Sequence, residues 1–522
     1  MRIAAKTALL ALSLVSTVSL HPVLAQVGQN PQTAPAAPSA STAPNTAPAV
    51  APAPAASSTP APAASNPAVA PASAAPASQT VKAPNGTEYE TGTIPDPAIS
   101  MPNGKPKSIV FLLSDKDGWT DKMKAEAERL RGKGSIVVGI DTPKYLKSLQ
   151  DDYKASTDED NCIYTVSDIE DLSHQIQRQS GGNDYLPPLV AGIGQGGTLA
   201  LAILAQTPNA TIGETLAVDP GDVIPLPEQF CTPAEKVNKD GGIVYDLTDG
   251  DLPDPAVVRF STTADPLGRA HVAELLKEHP DISVSDSQNE AYASLSAGID
   301  DMIAANAKEA EPLGLPLTLL EVEKPKFDTL AIIYSGDGGW RDIDSEIASN
   351  FQEEGLPVIG IDSLRYFWSE RKPQDTADDL TRIINTYTKR WKVKHVMLVG
   401  FSFGADITPP VYNLLSDSVK AKINQVTLLS MSHASDFEIS VTGWLGVKGK
   451  GKAGDPTKAV SKMPAGLVQC VYGVEDIEDD GCHNLDPTKV DIVKLEGGHH
   501  FDGDYDALSK LLVDRLRTRK MD

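Results

Sequence analysis

The stretch VMLVGFSFGADI at residues 396–407 joins an apolar run to a serine between glycines, and a helix-like segment follows. Its first four residues are apolar, as in a strand buried on both faces of a parallel sheet. GFSFG at 400–404 matches the pattern G-x-S-x-G, in which a serine occupies a strained turn between strand and helix. We therefore predict that Ser402 is a nucleophile whose hydroxyl projects above the edge of a sheet. Pro409 and Pro410 predict a break or kink soon after the helix begins.

A serine hydroxyl needs a base, and in the hydrolases that use this turn the acid and then the histidine follow the serine along the chain. A later apolar run ends in GVED, which makes Asp476 the predicted acid and Glu475 the second choice. The last apolar run is followed by EGGHHF, where two glycines allow a tight turn that brings an imidazole back over the sheet edge. Either His499 or His500 is the predicted base, and the sequence does not choose between them.

The carbonyl group that such a serine attacks also needs N–H donors for its oxygen, an oxyanion hole. One donor is predicted at the N–H of Phe403, the residue after the serine. The other is predicted in the glycine-rich loop SGDGGW at 335–340, at the N–H of Asp337 with Gly338 as the next choice. The motifs therefore predict acyl transfer at a serine centre, and no spacing in them predicts a cofactor or a metal ion.

Several of these motifs occur twice. KPKSIVFLLSDKDGW at 105 resembles KPKFDTLAIIYSGDGGW at 324, and PLVAGIGQGGTLALAIL at 188 resembles HVMLVGFSFGADITPPVY at 395. A steady offset between separate matches indicates two copies of one domain. We place the first copy at 86–312.

The second copy, at 324–522, alternates short apolar runs with amphipathic segments, which predicts an α/β class with a mainly parallel sheet flanked by helices. Its predicted strands are 330–334, 357–361, 396–399, 426–429, 467–472 and 490–495. The loops that follow parallel strands meet at one edge of the sheet, where such folds carry their sites. The whole chain is predicted to hold two tandem α/β-hydrolase-like domains.

The first copy lacks the reactive groups of the second. Gly194 stands where the second copy has its serine. Alignment without gaps puts Asp286 and Ser287 where the second copy has its two histidines. Asp265, in STTADP, is a candidate match for the acid. We predict that the first copy is catalytically silent and serves as a structural or substrate-binding partner.

The chain begins MRIAAKTALLALSLVSTVSLHPVLAQ, with two basic residues, a short apolar run and a small-residue cleavage signature. This predicts a secretory signal peptide at 1–25 and a periplasmic protein. Residues 26–85 are rich in Ala, Pro, Ser and Thr, which predicts a disordered linker. The net charge of −24 argues against binding nucleic acid or an anionic membrane, and it suits a cationic substrate.

Four cysteines in an exported chain predict disulfides. Cys470 and Cys482 are close enough in sequence to clip one loop. Cys162 and Cys231 are paired because they share the first copy.

The motifs SGDGGW, GIDSLRYFW, GFSFGAD and GGHHFDGDY occur in this order and resemble the VirJ/AcvB family of bacterial virulence proteins. The signal peptide and the degenerate first copy resemble the longer, AcvB-type members. The resemblance implies a periplasmic α/β-hydrolase that cleaves lysyl-phosphatidylglycerol, with Ser402 as the nucleophile and a histidine of GGHH and a strand-end acid completing the triad. It also implies a role in envelope homeostasis and virulence. The alternatives are a serine esterase of another substrate, or an envelope adaptor of a type IV secretion system with contacts to secretion or envelope proteins.

An aminoacylated phospholipid at the membrane surface presents two ammonium groups on its lysyl head, so carboxylates are expected near the site. Asp406, Asp337 and Asp342 are the candidates, and Trp340 is a further predicted substrate contact.

Overall fold

Two seven-stranded sheets, one in each half of the chain, organise the computed structural model of this protein. The structure describes residues 79–82, 86–156, 162–182, 184–209, 211–239, 241–248, 252–307, 312–439, 451–477 and 480–519. The predicted signal peptide at 1–25 and the predicted linker up to residue 78 lie outside the described residues. None of the described helices has both the length and the apolar character that crossing a membrane requires.

The first domain consists of the first seven-stranded sheet, two further two-stranded sheets and the surrounding helices. Its strands are β1 (Thr80–Lys82), β2 (Glu88–Glu90), β3 (Ala98–Ser100), β4 (Ser108–Leu113), β5 (Ser135–Ile140), β6 (Pro188–Ile193), β7 (Glu214–Val218), β8 (Lys236–Lys239), β9 (Gly242–Tyr245), β10 (Ala256–Phe260) and β11 (Ser283–Asp286). Its helices are α1 (Asp121–Lys133), α2 (Thr142–Ala155), α3 (Val166–Gln179), α4 (Gln195–Leu204), α5 (Pro266–Glu278) and α6 (Ala291–Asn306). The sheet order is β11-β10-β7-β6-β4-β5-β3, parallel except that β3 runs antiparallel to β5.

The second domain repeats this layout. Its strands are β12 (Leu317–Leu320), β13 (Thr329–Tyr334), β14 (Val358–Ile361), β15 (His395–Phe401), β16 (Ile423–Leu429), β17 (Val468–Gly473) and β18 (Asp491–Leu495). Its helices are α7 (Asp342–Glu353), α8 (Ser363–Tyr366), α9 (Pro373–Arg390), α10 (Phe403–Leu414), α11 (Asp417–Lys420), α12 (Pro456–Val460) and α13 (Tyr505–Thr518). The sheet order is β12-β14-β13-β15-β16-β17-β18, parallel except for β12. The predicted α/β class with two mainly parallel sheets is confirmed.

The strands of the second sheet are apolar on both sides because both faces of the sheet are covered. In β13, Leu330, Ile332 and Tyr334 belong to one core cluster, and the alternate residues Ala331 and Ile333 belong to another. Successive side chains of a strand point to opposite faces, so a continuous apolar run fills two cores at once.

Two strands lie where sequence analysis predicted connecting segments. Thr80–Lys82 pairs antiparallel with β2, inside the predicted linker 26–85, and Val81 packs on the core of the first domain. β12 joins the second sheet at its edge, before the predicted start of the second copy at residue 324. These boundaries were wrong because a strand of three or four residues carries little periodicity of its own, and pairing with a neighbour decides its structure.

The predicted break at the two prolines is also wrong, because α10 continues through Pro409 and Pro410 to Leu414. A proline at position 410 cannot donate to the carbonyl of Asp406 four residues earlier. The Ser435 hydroxyl donates to that carbonyl instead, at 2.7 Å. A side chain from another element thus replaces the missing hydrogen bond.

Both predicted disulfides are present. Cys162 pairs with Cys231 and Cys470 pairs with Cys482, with Cα–Cα distances of 5.0 and 5.5 Å. Cys470 lies in β17, so the second bridge ties the segment after that strand to the sheet. Stable disulfides fit a protein that folds outside the reducing cytoplasm.

Candidate active site

Ser402 stands at the sharp turn between β15 and α10. Its backbone has φ 50° and ψ −117°, a left-handed conformation that an L residue adopts only under strain. The Ser402 N–H donates to the carbonyl of Leu429, which fixes the turn to the neighbouring strand β16. The strain is therefore maintained by the sheet, and it presents the hydroxyl at the carboxyl edge.

The two glycines of GFSFG are needed because the turn is so tight. A Cβ on Gly400 would lie 2.4 Å from the Gly404 carbonyl oxygen, and a Cβ on Gly404 would lie 2.2 Å from the Tyr334 carbonyl oxygen. Any side chain at either position would separate α10 from β15 or from β13.

His499 lies beside the serine. Its Nε2 is 2.9 Å from Ser402 Oγ, and its Nδ1 is 2.8 Å from Asp476 Oδ2. A carboxylate only accepts hydrogen bonds, so Nδ1 must carry the proton and Nε2 is free to accept from the serine hydroxyl. The structure thus brings Ser402, His499 and Asp476 together in the geometry of a nucleophile, a general base and an orienting acid.

The turn that carries His499 is held by contacts that sequence analysis missed. The Ser430 hydroxyl donates to the His499 carbonyl at 2.9 Å. Gly473 allows the turn to approach β17, because a Cβ there would lie 2.1 Å from the Gly498 carbonyl oxygen. Gly497 has φ 85°, the positive φ that the tight turn requires. A serine after a strand is too common to have signalled the role of Ser430.

His500 is placed differently from His499. Its Nδ1 is 3.5 Å from the Tyr505 hydroxyl, and the Phe401 ring packs 5.5 Å from its ring. Burial and the neighbouring charge of His499 lower the pKa of His500. Of the two histidines left open by the sequence, His499 makes the contacts of a base and His500 is its neighbour.

The first domain has the same turn without the serine. Gly194 has φ 55° and ψ −120°, close to the angles of Ser402. A Cβ on Gly194 would lie 2.1 Å from Asp115 Oδ1, so an aspartate side chain occupies the space of the missing serine.

The Asp115 carboxylate marks where two N–H donors converge. Its Oδ1 accepts from the Lys116 N–H at 2.7 Å and from the Gln195 N–H at 2.9 Å. Gln195 is the residue after Gly194, as Phe403 is the residue after Ser402. Asp115 Oδ1 thus occupies, in the first domain, the position that an oxyanion would take between two N–H donors.

The loop after β13 in the second domain corresponds to the loop after β4 in the first, and each loop begins with a serine, Ser335 and Ser114. The Ser114 hydroxyl accepts from the Thr142 N–H at 3.0 Å, and the Ser335 hydroxyl accepts from the Ser363 N–H at 2.9 Å. Two residues beyond these serines stand Lys116 and Asp337. This correspondence favours the N–H groups of Asp337 and Phe403 over that of Gly338 as the predicted oxyanion donors beside Ser402.

The histidine turn has no counterpart in the first domain. There β11 ends at Asp286 and α6 begins at Ala291, whereas in the second domain β18 ends at Leu495 and α13 begins only at Tyr505. Asp286 is therefore the last residue of a strand, and its carboxylate pairs with Arg269. The ungapped alignment of Asp286 and Ser287 with the histidines was wrong, because the whole turn is missing. Asp265 caps α5 by accepting from the Leu267 N–H at 2.8 Å.

Residues 328–520 match the model of a family described as bacterial virulence protein (VirJ). This part of the chain belongs to the VirJ family. The matched residues contain the serine, the acid and the histidine described above, and we call the second domain the VirJ domain.

Comparison with curated proteins gave no match. Among solved structures, a putative dienelactone hydrolase from Klebsiella pneumoniae subsp. pneumoniae MGH 78578 is 16% identical, with a TM-score of 0.27 over 40% of this chain and 89% of that chain. Est1E from Butyrivibrio proteoclasticus is 12% identical, with a TM-score of 0.28 over 40% of this chain and 98% of that chain. The type II thioesterase YbtT of the yersiniabactin pathway is 13% identical, with a TM-score of 0.28 over 39% of this chain and 98% of that chain. At these identities the likeness concerns the fold alone.

The hydrogen-bonded arrangement of Asp476, His499 and Ser402 in the VirJ domain can support hydrolysis by a serine nucleophile. The site is open to solvent, since the side chains of His499 and Asp476 are 41% and 28% exposed.

Asp337 contributes a carboxylate as well as an N–H group. Burial raises its pKa, while the charges of His499 and Arg341 and the N–H groups of Asp337 and Gly338 lower it. Its carboxylate therefore lies within electrostatic reach of the base. Asp342 is exposed, and its negative charge acts to raise the pKa of His500.

Asp406 and Trp340, two predicted substrate contacts, lie in packed surroundings. The Asp406 carboxylate accepts from the Ser432 N–H at 2.7 Å and from the Ser432 hydroxyl at 2.8 Å. Trp340 is 8% exposed, and a Cβ on Gly360 would lie 2.3 Å from its ring. The predicted contact between Trp340 and the substrate is not supported, because the ring fills the core beside the sheet. Asp406 therefore holds the loop after β16. In the first domain Thr198 holds the loop after β7 in the same way, because its hydroxyl accepts from the Gly221 N–H.

Asp406 gives a testable dependence of stability on pH. Burial raises its pKa to about 8, although both hydrogen bonds from Ser432 lower it. The folded state therefore holds the proton more tightly than the unfolded state. Ionisation costs stability progressively as the pH rises from about 4 to about 8, by on the order of a few kcal/mol. Asp406→Asn removes this titration, so its unfolding temperature should rise relative to the wild type across that range. Parallel curves for the two proteins would contradict the raised pKa.

Proposed function

We propose that this protein is a periplasmic serine esterase that hydrolyses the aminoacyl ester of lysyl-phosphatidylglycerol to lysine and phosphatidylglycerol. The observation that carries the enzymatic part is the continuous chain of hydrogen bonds from Asp476 through His499 to Ser402, at 2.8 and 2.9 Å. Serine, acid and histidine follow one another along the chain, at 402, 476 and 499, in the order of the α/β-hydrolases.

The reaction follows from the positions of these groups. Ser402 Oγ attacks the lysyl carbonyl carbon while His499 Nε2 takes the hydroxyl proton. The N–H groups of Asp337 and Phe403 stabilise the negative oxygen. The bond to the glycerol oxygen then breaks, and His499 returns its proton to that oxygen, which releases phosphatidylglycerol. Water then attacks the carbonyl carbon of the acyl-enzyme while His499 Nε2 takes its proton. The bond from that carbon to Ser402 Oγ breaks, the imidazole returns the proton to Oγ, and lysine leaves.

The preference for a cationic acyl group rests on the Asp337 carboxylate. The α-ammonium group of an aminoacyl ester is attached to the carbon next to the reacting carbonyl. The electrostatic interaction between the Asp337 carboxylate and His499 supports pairing of that carboxylate with the ammonium group. The net charge of −24 also favours a cationic substrate, because it attracts positively charged headgroups to the protein.

The substrate and the location are supported by further features. The chain belongs to the VirJ family in its second domain, and its motifs resemble those of the AcvB-type members. The open site suits a lipid ester that stays in a bilayer while its headgroup is cleaved. Two disulfides fit an extracytoplasmic compartment.

The test is the release of free lysine from phosphatidylglycerol vesicles that contain lysyl-phosphatidylglycerol, with wild-type protein and with Ser402→Ala. We expect lysine release by the wild type and none above background by the variant. Asp337→Asn keeps the N–H donor but removes the charge. It should raise KM for the lysyl ester about tenfold, while its hydrolysis of p-nitrophenyl acetate stays within about threefold.

Three results would overturn parts of the proposal. Hydrolysis of p-nitrophenyl acetate without lysine release would indicate an esterase of another substrate. Equal effects of Asp337→Asn on both esters would exclude recognition of the ammonium group by Asp337. Full rescue of a deletion phenotype by Ser402→Ala would indicate an adaptor without enzymatic function.

A further inference from the structure

The first domain contacts the VirJ domain through α3. Glu170, His174 and Arg178 are spaced four residues apart and therefore share one face of this helix. The Arg178 guanidinium lies 3.7 Å from the centre of the Trp368 ring and donates to the carbonyl oxygens of Trp368 and Ile439. The His174 ring packs 5.4 Å from the same tryptophan. These directional contacts fix α3 on the VirJ domain.

At the other end of this face, Glu170 forms an ion pair with Arg341 of the VirJ domain. The side chains are only 10% and 24% exposed. Arg341 directly follows the loop SGDGGW and precedes α7. The ion pair thus connects the catalytically silent domain to the end of the loop that carries the oxyanion donor.

The Arg341 side chain packs against that loop. A Cβ on Gly338 would lie 3.2 Å from Arg341 Nε and 3.3 Å from Arg341 Cζ. Gly338 is the neighbour of Asp337, so the guanidinium lies against the backbone next to the donor N–H. The charge of Arg341 also opposes the rise in the pKa of Asp337 that burial causes.

A buried ion pair adds little net stability, since the loss of hydration offsets the attraction, but its geometry is strongly constrained. We propose that Glu170 is a positioning residue for the VirJ active site: it holds the Arg341 guanidinium against Gly338 and thereby directs the Asp337 N–H toward the oxyanion. This inference rests on the function proposed above. It gives the silent first domain a part in the reaction that does not require a nucleophile of its own.

The test compares Glu170→Gln, Arg341→Gln and the double variant of the full chain. The readouts are kcat and KM for p-nitrophenyl acetate and the rate at which a fluorophosphonate probe labels Ser402. Because an oxyanion donor acts mainly in the transition state, we expect each single variant to lower kcat and the labelling rate about tenfold, with KM within about twofold. If Glu170 acts through Arg341, the double variant should be no slower than either single variant.

Glu126→Gln is the matched control. Glu126 is a buried glutamate of α1 that pairs with Arg129 inside the first domain, and the two side chains are 7% and 29% exposed. This variant should lower the unfolding temperature and leave kcat at the wild-type value. Should Glu170→Gln not fold, Arg341→Lys carries the same test, because lysine keeps the charge and loses the planar guanidinium.

The possible outcomes separate the inference from the function. Labelling of the wild type with unchanged kcat in the variants would overturn the inference and leave the function standing. Additive losses in the double variant, or an equal loss of kcat in Glu126→Gln, would also overturn it. Failure of the probe to label the wild type would overturn the function, and the inference with it.

Discussion

Replacing His499 by glutamine is expected to lower kcat/KM about 10⁴-fold or more, and replacing Ser402 by alanine should cost as much. His499 Nε2 is 2.9 Å from Ser402 Oγ, so the two groups act as one unit. Without the imidazole the serine hydroxyl is not deprotonated, and without the hydroxyl the imidazole has no nucleophile to activate. The double variant should therefore be no slower than either single variant. Steady-state hydrolysis of p-nitrophenyl acetate and of lysyl-phosphatidylglycerol provides the measurement.

His500→Gln is the control for this prediction. His500 lies next to His499 in sequence, but its Nδ1 faces the Tyr505 hydroxyl at 3.5 Å. We expect its kcat/KM to stay within about threefold of the wild type. The reverse ranking of the two histidine variants, with unfolding temperatures alike, would show that the turn presents the other imidazole during the reaction.

The features that the sequence predicted correctly are those with a local cause. A four-residue apolar run, two glycines and a serine are contiguous in VMLVGFSFG at 396–404. Each glycine is needed because a Cβ there would collide with the carbonyl oxygen of Gly404 or of Tyr334. The apolar runs of the second copy became strands within about three residues of their predicted ends, because both faces of the sheet are buried. The two disulfides followed from four cysteines in an exported chain, from the short spacing of Cys470 and Cys482, and from the shared domain of Cys162 and Cys231.

The choice of histidine was not accessible from the sequence for a geometric reason. His499 and His500 share the same glycines and the same neighbours along the chain. The direction of each ring depends on the positive φ of Gly497 and on the hydrogen bond from Ser430 to the His499 carbonyl. Ser430 is 69 residues away in sequence, so its contact leaves no pattern in the turn itself.

Contacts between the domains were missed for a similar reason. Glu170 and Arg341 are 171 residues apart, and nothing in the sequence around either one distinguishes it from a solvated charge. The same holds for Asp115, which sequence analysis treated as part of a repeated turn. Its carboxylate fills the oxyanion hole of the first domain, a relation that appears only when α4 and the loop after β4 are brought together.

Substitution of the orienting acid, Asp476, is the second change from which we expect a large loss of activity. Asp476→Asn is expected to lower kcat/KM about 10³- to 10⁴-fold, although the side chain keeps its size. Asp476 Oδ2 accepts from His499 Nδ1 at 2.8 Å and so keeps the proton off Nε2. An asparagine amide that donates to Nδ1 would favour the other tautomer, in which Nε2 carries the proton and cannot take one from Ser402.

Glu475→Gln is the matched control, since Glu475 was the second choice as acid and stands next to Asp476. The Glu475 side chain is exposed, and its backbone N–H donates to the Gly497 carbonyl at 3.1 Å, a contact that the substitution preserves. We expect its kcat/KM to stay within about threefold of the wild type. A large loss in Glu475→Gln with near-normal activity in Asp476→Asn would assign the orienting role to the glutamate, and the loop after β17 would then have to move before the imidazole could act.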